Sequence, residues 1–244
     1  MKFNIVQNTH TILKFRITVY LVSFIHLVIM MIRLLNMDFE QSDDVNLQQY
    51  AKLKWALITA WFNLLTTPYL PLCIYCDWRT LKDRCETKRT KVFNQVRNFL
   101  FTTLILPVTV FSDIQFWRLY YLDRRLLMPL SVDNFLTMWD QHSMHSASLA
   151  FVVLDFLMVY RERPRNLLPG ILTLLVFLSI YIFTCVACLI NGLYVYPCLK
   201  TFSAFKMGVL TLYLYISHLF YYTGQWALVD FIYGQKKKPT KLVQ

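Results

Sequence analysis

Six apolar runs dominate this sequence, and polar segments that carry most of its Lys and Arg residues separate them. An α-helix rises about 1.5 Å per residue, so a run of about 20 residues crosses a hydrocarbon core of about 30 Å. The runs cover residues 17–35, 55–76, 99–122, 142–160, 167–193 and 205–233. We expect loops between them, among them a polar loop at 36–54 and the most cationic loop at 77–98. This pattern predicts an all-α integral membrane protein, folded as a six-helix transmembrane bundle.

Composition and charge narrow the class of protein further. Hydrophobic residues make up 57% of the 244 residues, which is more apolar surface than a soluble core of this size buries. The net charge of +11 comes from basic residues between the apolar runs, where Lys and Arg orient the segments and contact anionic lipid head groups. We therefore expect membrane lipids as partners and no nucleic acid. The sequence also lacks the GxGxxG and P-loop patterns of nucleotide sites.

The distribution of basic residues predicts the orientation of the chain. The amino terminus, the second loop, the fourth loop and the tail carry about twice as many Lys and Arg as the other three loops, so the positive-inside rule places both termini in the cytoplasm. No small-residue cleavage pattern follows the first run, which we expect to remain as an uncleaved helix. Residues 1–235 are expected to form one transmembrane domain, and residues 236–244 a basic cytoplasmic tail.

Two CxxC pairs stand out among the six cysteines, CIYC at 73–76 and CVAC at 185–188. In a soluble protein this spacing suggests zinc binding or redox chemistry. Both pairs lie inside apolar runs, where cysteine packs as a small hydrophobe. We therefore expect packing roles for these cysteines, no metal site and no cofactor.

The segment from Asn134 to Asp155, NFLTMWDQHSMHSASLAFVVLD, runs from a polar and aromatic lead-in into an apolar span. His142 and His145 are three residues apart and so share one face of a helix. Ionisable side chains at membrane depth are costly unless they are paired or hydrated, so these histidines and Asp155 indicate a functional site. The alternative is an interfacial histidine at a helix boundary and an acid that reaches up to water.

Thr59 is the candidate nucleophile that the predicted topology brings level with His145. Both lie about 5 to 6 Å below the same non-cytoplasmic face. A threonine hydroxyl attacks well only when a base removes its proton, and a neutral histidine suits that task. Asp113 can orient the imidazole if the third and fourth helices are neighbours, whereas Asp155 lies about 15 Å further along its helix. The alternative for Thr59 is a hydrogen bond to a carbonyl in the preceding turn.

Four stretches carry a resemblance to a known family: DNFLTMWDQHSMHSASLAFVVLD, FWRLYYLDRRLLMP, NGLYVYP and KWALIT. From residue 17 to residue 233 the chain resembles the family of the androgen-induced gene protein and the androgen-dependent regulator of tissue factor pathway inhibitor. The resemblance implies a six-pass membrane hydrolase, over residues 1–235, that cleaves fatty acid esters of hydroxy fatty acids with a catalytic threonine and histidine. By this resemblance His145, in the MHS triplet, matches the family histidine, and Thr59 matches the threonine.

The sequence also departs from the family pattern. Asn63 lies four residues after Thr59, where the family usually has Asn or Asp three residues after the threonine. Asp155 occupies a position where the family usually has glutamate, and Asp113 is particular to this sequence.

The leading hypothesis is a threonine hydrolase that takes a lipid substrate from the bilayer of the endoplasmic reticulum or the plasma membrane. A long acyl ester enters sideways, Thr59 attacks its carbonyl, His145 transfers the proton, and water then hydrolyses the acyl-enzyme. Further candidates for contacts with the substrate or its oxyanion are Asn63, Trp139, His142 and Asp113.

Two other classes of protein remain open. Paired histidines on facing helices ligate iron, so a membrane haem or metal protein is one alternative. Its candidate ligands are His26, His142, His145 and His218. A non-catalytic multi-pass scaffold or transporter is the other, although the six runs show no inverted repeat.

Overall fold

The structure, a computed structural model, describes residues 2–39, 43–82 and 87–233, with side chains from residue 10 onward. Within these ranges the chain is helical and contains no β-strand. The all-α class predicted from the sequence is therefore confirmed. The predicted basic tail, residues 236–244, lies outside the described residues.

The described chain forms α-helices joined by short turns. The helices are α1 (Lys2–Leu35), α2 (Val45–Leu53), α3 (Ile58–Leu81), α4 (Lys88–Leu100), α5 (Leu106–Asp123), α6 (Met138–Met158), α7 (Leu168–Ile190) and α8 (Ala204–Tyr233). A π-helical segment, Phe101–Ile105, joins α4 to α5, and 3-10 segments cover Arg124–Leu126, Leu130–Asn134 and Pro197–Thr201. The helices α4 and α5 thus form one continuous rod.

Four segments are long and apolar enough to cross a membrane: His10–Leu35, Val45–Leu81, Lys88–Leu126 and Leu168–Ile190. Helices α6, with 21 residues, and α8, with 30 residues, have the length, but neither contains an 18-residue stretch as apolar as those in the four segments. Polar side chains such as Gln141 and His145 in α6, and tyrosines in α8, account for the difference. The chain is therefore a multi-pass membrane protein, and the count of six spans stays a prediction.

Two segments predicted as loops are helical. Residues 45–53, inside the predicted loop 36–54, form α2, which Asp44 caps by accepting a hydrogen bond from the Asn46 N–H at 2.9 Å. Residues 88–98, inside the predicted cationic loop, belong to α4, which Thr87 caps. Both loop predictions were wrong because they rested on polarity alone, whereas a capped amphipathic helix also tolerates many polar residues.

The rod of α4 and α5 lies at the centre of the bundle and is far more buried than the other three candidate spans. It packs against α3, α6, α7 and α8. Its π-helical segment interrupts the regular hydrogen-bond ladder, and such carbonyls need other donors. The Gln225 side chain, from α8, donates to the Thr102 carbonyl at 2.8 Å. This hydrogen bond fixes α8 against the middle of the rod.

Asp155, in the last turn of α6, is fully buried and accepts three side-chain hydrogen bonds. The donors are the Tyr20 hydroxyl at 2.5 Å, the Tyr69 hydroxyl at 2.8 Å and the Arg161 guanidinium at 2.6 Å. The Arg161 guanidinium also lies over the Phe101 ring, 3.7 Å from its centroid. Because a buried carboxylate without partners is strongly destabilising, these contacts hold α1, α3 and α6 together.

Asp77, near the end of α3, extends this cluster. Its Oδ1 accepts hydrogen bonds from Arg16 at 2.5 Å and from Arg97 at 2.8 Å. Arg97 also donates to the Tyr20 hydroxyl at 2.8 Å, which connects the two buried aspartates through one arginine and one tyrosine. The cluster therefore joins α1, α3, α4 and α6 at the end of the bundle away from His145.

Replacing Asp155 with alanine removes the counter-ion of the buried Arg161. We expect the free energy of unfolding to fall by about 3 to 5 kcal/mol, and the melting temperature of the detergent-solubilised protein to fall by about 10 °C. Asp230→Ala is the control, because Asp230 is half exposed and its carboxylate lies 4.0 Å from Arg163. Such a surface pair contributes at most about 1 kcal/mol. Equal melting temperatures for the two variants would contradict the structural role of the cluster.

Candidate active site

Helix α6 carries His145, and a capping box fixes the start of this helix. The N–H and the hydroxyl of Thr137 both donate to Asp140 Oδ2 at 2.8 Å, and the Asp140 N–H donates to Thr137 Oγ1 at 3.4 Å. Asp140 is fully buried and also pairs with Arg33, from the last turn of α1, at 2.5 Å. These contacts join α6 to α1 less than two turns before His145.

His145 is buried, and its imidazole is held from two sides. Nδ1 lies 2.9 Å from Asp113 Oδ1, and the Phe116 ring stacks on the imidazole with 3.5 Å between centroids. An ionised carboxylate only accepts hydrogen bonds, so Nδ1 carries the proton and Nε2 carries the lone pair. Nε2 has no hydrogen-bond partner among the described residues. Asp113 accepts a second hydrogen bond from the Ser148 hydroxyl at 2.5 Å. This is the geometry of an oriented base with a free nitrogen.

Thr59 lies in the first turn of α3, and its hydroxyl has no hydrogen-bond partner within the described ranges. Thr66 and Thr67, in the same helix, each donate to the carbonyl four residues earlier at 2.8 Å. The corresponding carbonyl for Thr59, that of Trp55, accepts instead from the Trp61 indole at 3.1 Å. The alternative of a back-bonded Thr59 was therefore wrong, and its hydroxyl is available to a ligand.

The loop after α7 holds the turn that carries Thr59. The Ile58 N–H donates to the Tyr196 hydroxyl at 3.4 Å, and the hydroxyls of Tyr181 and Tyr196 are 3.3 Å apart. The Trp61 ring packs edge-on against Tyr181. Burial raises the pKa of Tyr196 to about 12, so its hydroxyl stays protonated at neutral pH. The NGLYVYP motif thereby acts as a support for the start of α3.

A first cavity of about 120 Å³ lies between α1, α2, α3 and α6, with Thr59 in its wall. Most of the wall is apolar, with Met30, Leu34 and Phe39 among its side chains. An apolar cavity with a few polar groups is the usual form of a lipid or small-molecule site. The first cavity therefore suits a hydrocarbon chain beside the Thr59 hydroxyl.

A second cavity of about 260 Å³ lies between α1, α3, α5 and α6. It adjoins the first, because both are lined by His26, Leu27, Asn63 and Ser143. Ser148, which donates to the carboxylate beside His145, also lines the second cavity. Neither His145 nor Asp113 is among the residues that line the two cavities, so the second cavity approaches the candidate base only through Ser148.

The structure brings together some of the predicted site residues. Asp113 and His145 are hydrogen-bonded, as the sequence allowed if their helices are neighbours. Thr59 and Asn63 line the first cavity together with Met144, the residue before His145. No hydrogen bond joins Thr59 to His145 in the described chain.

Other predicted residues lie elsewhere. The His142 ring packs on Trp117 at the exposed side of α6, and its Nδ1 lies 2.9 Å from the Ser146 hydroxyl. Trp139 is 57% exposed and contacts the edge of the His26 ring. Neither His142 nor Trp139 lines the two cavities, so the structure does not support them as oxyanion donors.

His26 and Ser148 are site residues that sequence reasoning missed. From the sequence, His26 is only a candidate haem ligand, yet it lines both cavities, with Nε2 3.5 Å from the Ser143 carbonyl. Its position in the middle of the first apolar run was the available signal. Ser148 lies three residues after His145, and that helical spacing was the signal for a shared face.

The histidines proposed as haem or metal ligands do not converge on one space. His145 is bonded to Asp113, and His218 Nδ1 donates to the Leu214 carbonyl at 2.7 Å. In the part of the chain that the structure describes, no three His, Cys, Asp or Glu side chains are grouped as metal ligands are. The geometry therefore does not favour the haem or metal alternative.

Comparisons with known proteins identify relatives of this chain. A family model described as FAR-17a/AIG1-like protein matches residues 17–229. The chain is 26% identical over 152 residues to androgen-induced gene 1 protein from Homo sapiens, covering 60% of the chain and 63% of that protein. It is 31% identical over 93 residues to androgen-dependent TFPI-regulating protein from Mesocricetus auratus, covering 38% of the chain and 40% of that protein. The matched region thus spans less than two thirds of each relative. No solved structure matches the chain.

Replacing Tyr196 with phenylalanine tests whether this side chain supports the start of α3. The change removes the acceptor of the Ile58 N–H, and a hydrogen bond of this kind contributes about 1 kcal/mol. We expect amide hydrogen exchange in residues 57–61 to become about fivefold faster, measured by mass spectrometry in detergent micelles. Tyr194→Phe is the matched control, because Tyr194 lies in the same loop and contacts Lys200 instead. The same exchange rate in both variants would show that Tyr196 does not hold this turn.

Proposed function

Because the chain belongs to the FAR-17a/AIG1-like protein family, we propose that it is a membrane-embedded lipid esterase with Thr59 as nucleophile and His145 as base. Its proposed substrates are fatty acid esters of hydroxy fatty acids, taken from the bilayer. The family resemblance supports this substrate class. The side-chain geometry around His145 supports the type of reaction.

One observation carries the reaction type: the hydrogen bond between Asp113 and His145 is buried, and Nε2 has no partner in the described part of the chain. A carboxylate on Nδ1 orients the imidazole and stabilises the imidazolium that forms when Nε2 accepts a proton. A hydroxyl nucleophile needs a base of this kind. The unpartnered hydroxyl of Thr59, in an apolar cavity, is the candidate that fits this need.

The proposed reaction has two steps. The Thr59 oxygen attacks the ester carbonyl while its proton passes to His145 Nε2, and the resulting imidazolium then protonates the departing alcohol. A water molecule next attacks the acyl-threonine, again giving its proton to Nε2, which returns that proton to the threonine oxygen as the fatty acid leaves. The ester is cleaved by one water, and both side chains return to their starting states.

Two features support an encounter between Thr59 and His145 in the substrate-bound enzyme. Both reacting atoms lack hydrogen-bond partners in the described chain. Met144, the residue before His145 in α6, lines the same cavity as Thr59. Catalytic hydrogen bonds are often long before the substrate binds and shorten in the complex. Asn63 lines both cavities, and its carboxamide has no described partner. We therefore propose that the Asn63 amide donates a hydrogen bond to the oxyanion.

We also propose the finer topology. Helices α6 and α8, with 21 and 30 residues, are long enough to cross a hydrocarbon core, which would make six spans with both termini in the cytoplasm. Thr59 and His145 then lie near the non-cytoplasmic face, where water for the second step is close. The endoplasmic reticulum and the plasma membrane are both consistent with this arrangement.

Thr59→Ala and His145→Ala test the catalytic pair. Each removes one of the two reacting side chains, so we expect ester hydrolysis by membranes expressing the protein to fall by about 100-fold or more. Labelling by a fluorophosphonate probe should disappear in Thr59→Ala, and the wild-type adduct should map to Thr59.

Thr173→Ala is the matched control for this experiment. Thr173 donates to the Pro169 carbonyl at 2.9 Å on the exposed side of α7, far from both cavities. We expect it to retain wild-type activity and labelling at equal expression. Full activity in Thr59→Ala or His145→Ala would overturn the proposed site.

Asp113→Asn tests whether the carboxylate positions His145. Asparagine keeps the volume of aspartate, but its uncharged amide does not accept a hydrogen bond from His145 Nδ1 as a carboxylate does. The imidazole therefore loses its fixed tautomer. We expect kcat to fall by about 100-fold or more, with KM changed by less than about threefold. Asp113→Glu should recover part of kcat, because it restores a carboxylate. Unchanged kcat in Asp113→Asn at normal expression would contradict the positioning role.

A further inference from the structure

Lys54 is the one charged side chain among the residues that line the first cavity in the described chain. It follows α2 directly and precedes Thr59 by five residues. The remainder of the wall is apolar or neutral and includes Leu57, Met31 and Leu64. A cation in such a wall is unusual, because long charged side chains normally extend into water.

Lys54 also has no counter-ion among the described residues. It forms no hydrogen bond or ion pair within the part of the chain that the structure describes, whereas the basic residues Arg16, Arg33 and Arg161 are each paired with an aspartate. Its partial burial in the cavity wall reduces its hydration. An ammonium in this situation gains from an anionic partner, and a carboxylate supplies both opposite charge and hydrogen-bond acceptors.

We propose that Lys54 binds the free carboxylate of the substrate. This inference rests on the proposed function, because a fatty acid ester of a hydroxy fatty acid carries one free carboxylate on the arm that bears the ester oxygen. With that carboxylate at Lys54, the hydroxy acid arm lies in the first cavity and its ester carbonyl reaches Thr59. The other arm, the acyl chain, then enters the second cavity past Asn63 and His26, which line both cavities.

The orientation follows from where the polar groups lie. The first cavity contains the charged Lys54, whereas the described lining of the second cavity is uncharged, combines serine and threonine with apolar side chains, and extends along α6 to Phe151 and Leu154. A carboxylate is accommodated beside the cation, and an uncharged chain in the cavity that has no cation. Lys54 thus favours esters that carry an acid group over neutral lipid esters of similar length.

The test compares a free-acid ester with its methyl ester in the wild type, Lys54→Met and Lys52→Met. Methylation removes the substrate charge and leaves both chains intact. Hydrogen bonds to charged groups contribute enough to change kcat/KM by about 10-fold to 100-fold. We expect the wild type to prefer the free acid by that factor, and the ratio of kcat/KM for the two esters to fall to about 1 in Lys54→Met.

Lys52→Met is the matched control, because Lys52 lies two residues earlier on α2, is exposed and does not line the cavity. It should keep the wild-type preference. Lys54→Arg, which keeps the positive charge, should keep most of it. Loss of the preference in Lys52→Met and Lys54→Met alike would indicate general attraction by α2 and would overturn the assignment to Lys54.

The outcomes separate this inference from the proposed function. If the wild type hydrolyses the free acid and the methyl ester equally, and Lys54→Met changes neither, the carboxylate assignment is wrong while the esterase proposal stands. If the wild type hydrolyses neither ester, binding of a non-hydrolysable ether analogue, measured by native mass spectrometry, decides the assignment. Weaker binding of the acidic ether to Lys54→Met, with unchanged binding of its methyl ester, supports the assignment of the carboxylate to Lys54 even when neither ester is hydrolysed.

Discussion

The bundle depends on how it neutralises carboxylates that are removed from water. Four aspartates in the described chain are at most 2% exposed: Asp77, Asp113, Asp140 and Asp155. Three of them face an arginine, which stays charged at any physiological pH and therefore forms a permanent ion pair. Asp113 alone faces a histidine, the residue type that most often serves as a general base in catalysis. The arginine pairs hold helices together, and the histidine pair is the one buried pair suited to move a proton.

Helix α6 shows how these two kinds of pair cooperate. Asp140, in its first turn, is paired with Arg33 of α1, and Asp155, in its last turn, is paired with Arg161 and two tyrosines. These anchors are about 22 Å apart along the helix. His145 lies between them, so its rotation about the helix axis and its depth are both set by contacts that do not take part in the chemistry. Side-chain hydrogen bonds then complete the orientation of the ring, as a catalytic base requires.

The sequence predicts the helical class and most of the apolar spans, and it indicates His145 as a candidate site residue, because these depend on local pattern and residue type. It groups His142 with His145 on one face, but positions three apart differ by about 60° around a helix. In the structure the boundary of the buried face passes between them, so His145 contacts Asp113 while His142 faces outward. The cavities depend on which helices are neighbours, and so does the lack of a counter-ion for Lys54 among the described residues. A single sequence does not contain that information.

The order of polar groups along the start of α3 matches the polarity of the proposed substrate. Lys54 precedes the helix, Thr59 lies in its first turn, and Asn63 follows about 6 Å deeper. An ester of a hydroxy fatty acid has the same order when it lies in one leaflet, with the carboxylate near the head groups, the ester below it and the hydrocarbon deepest. Because an amphiphile already adopts this orientation in the bilayer, entry from the side requires little reorientation. In the proposed site, Lys54 and Thr59 thus follow the order of the carboxylate and the ester in such a lipid, and Asn63 lies on the hydrocarbon side of the ester.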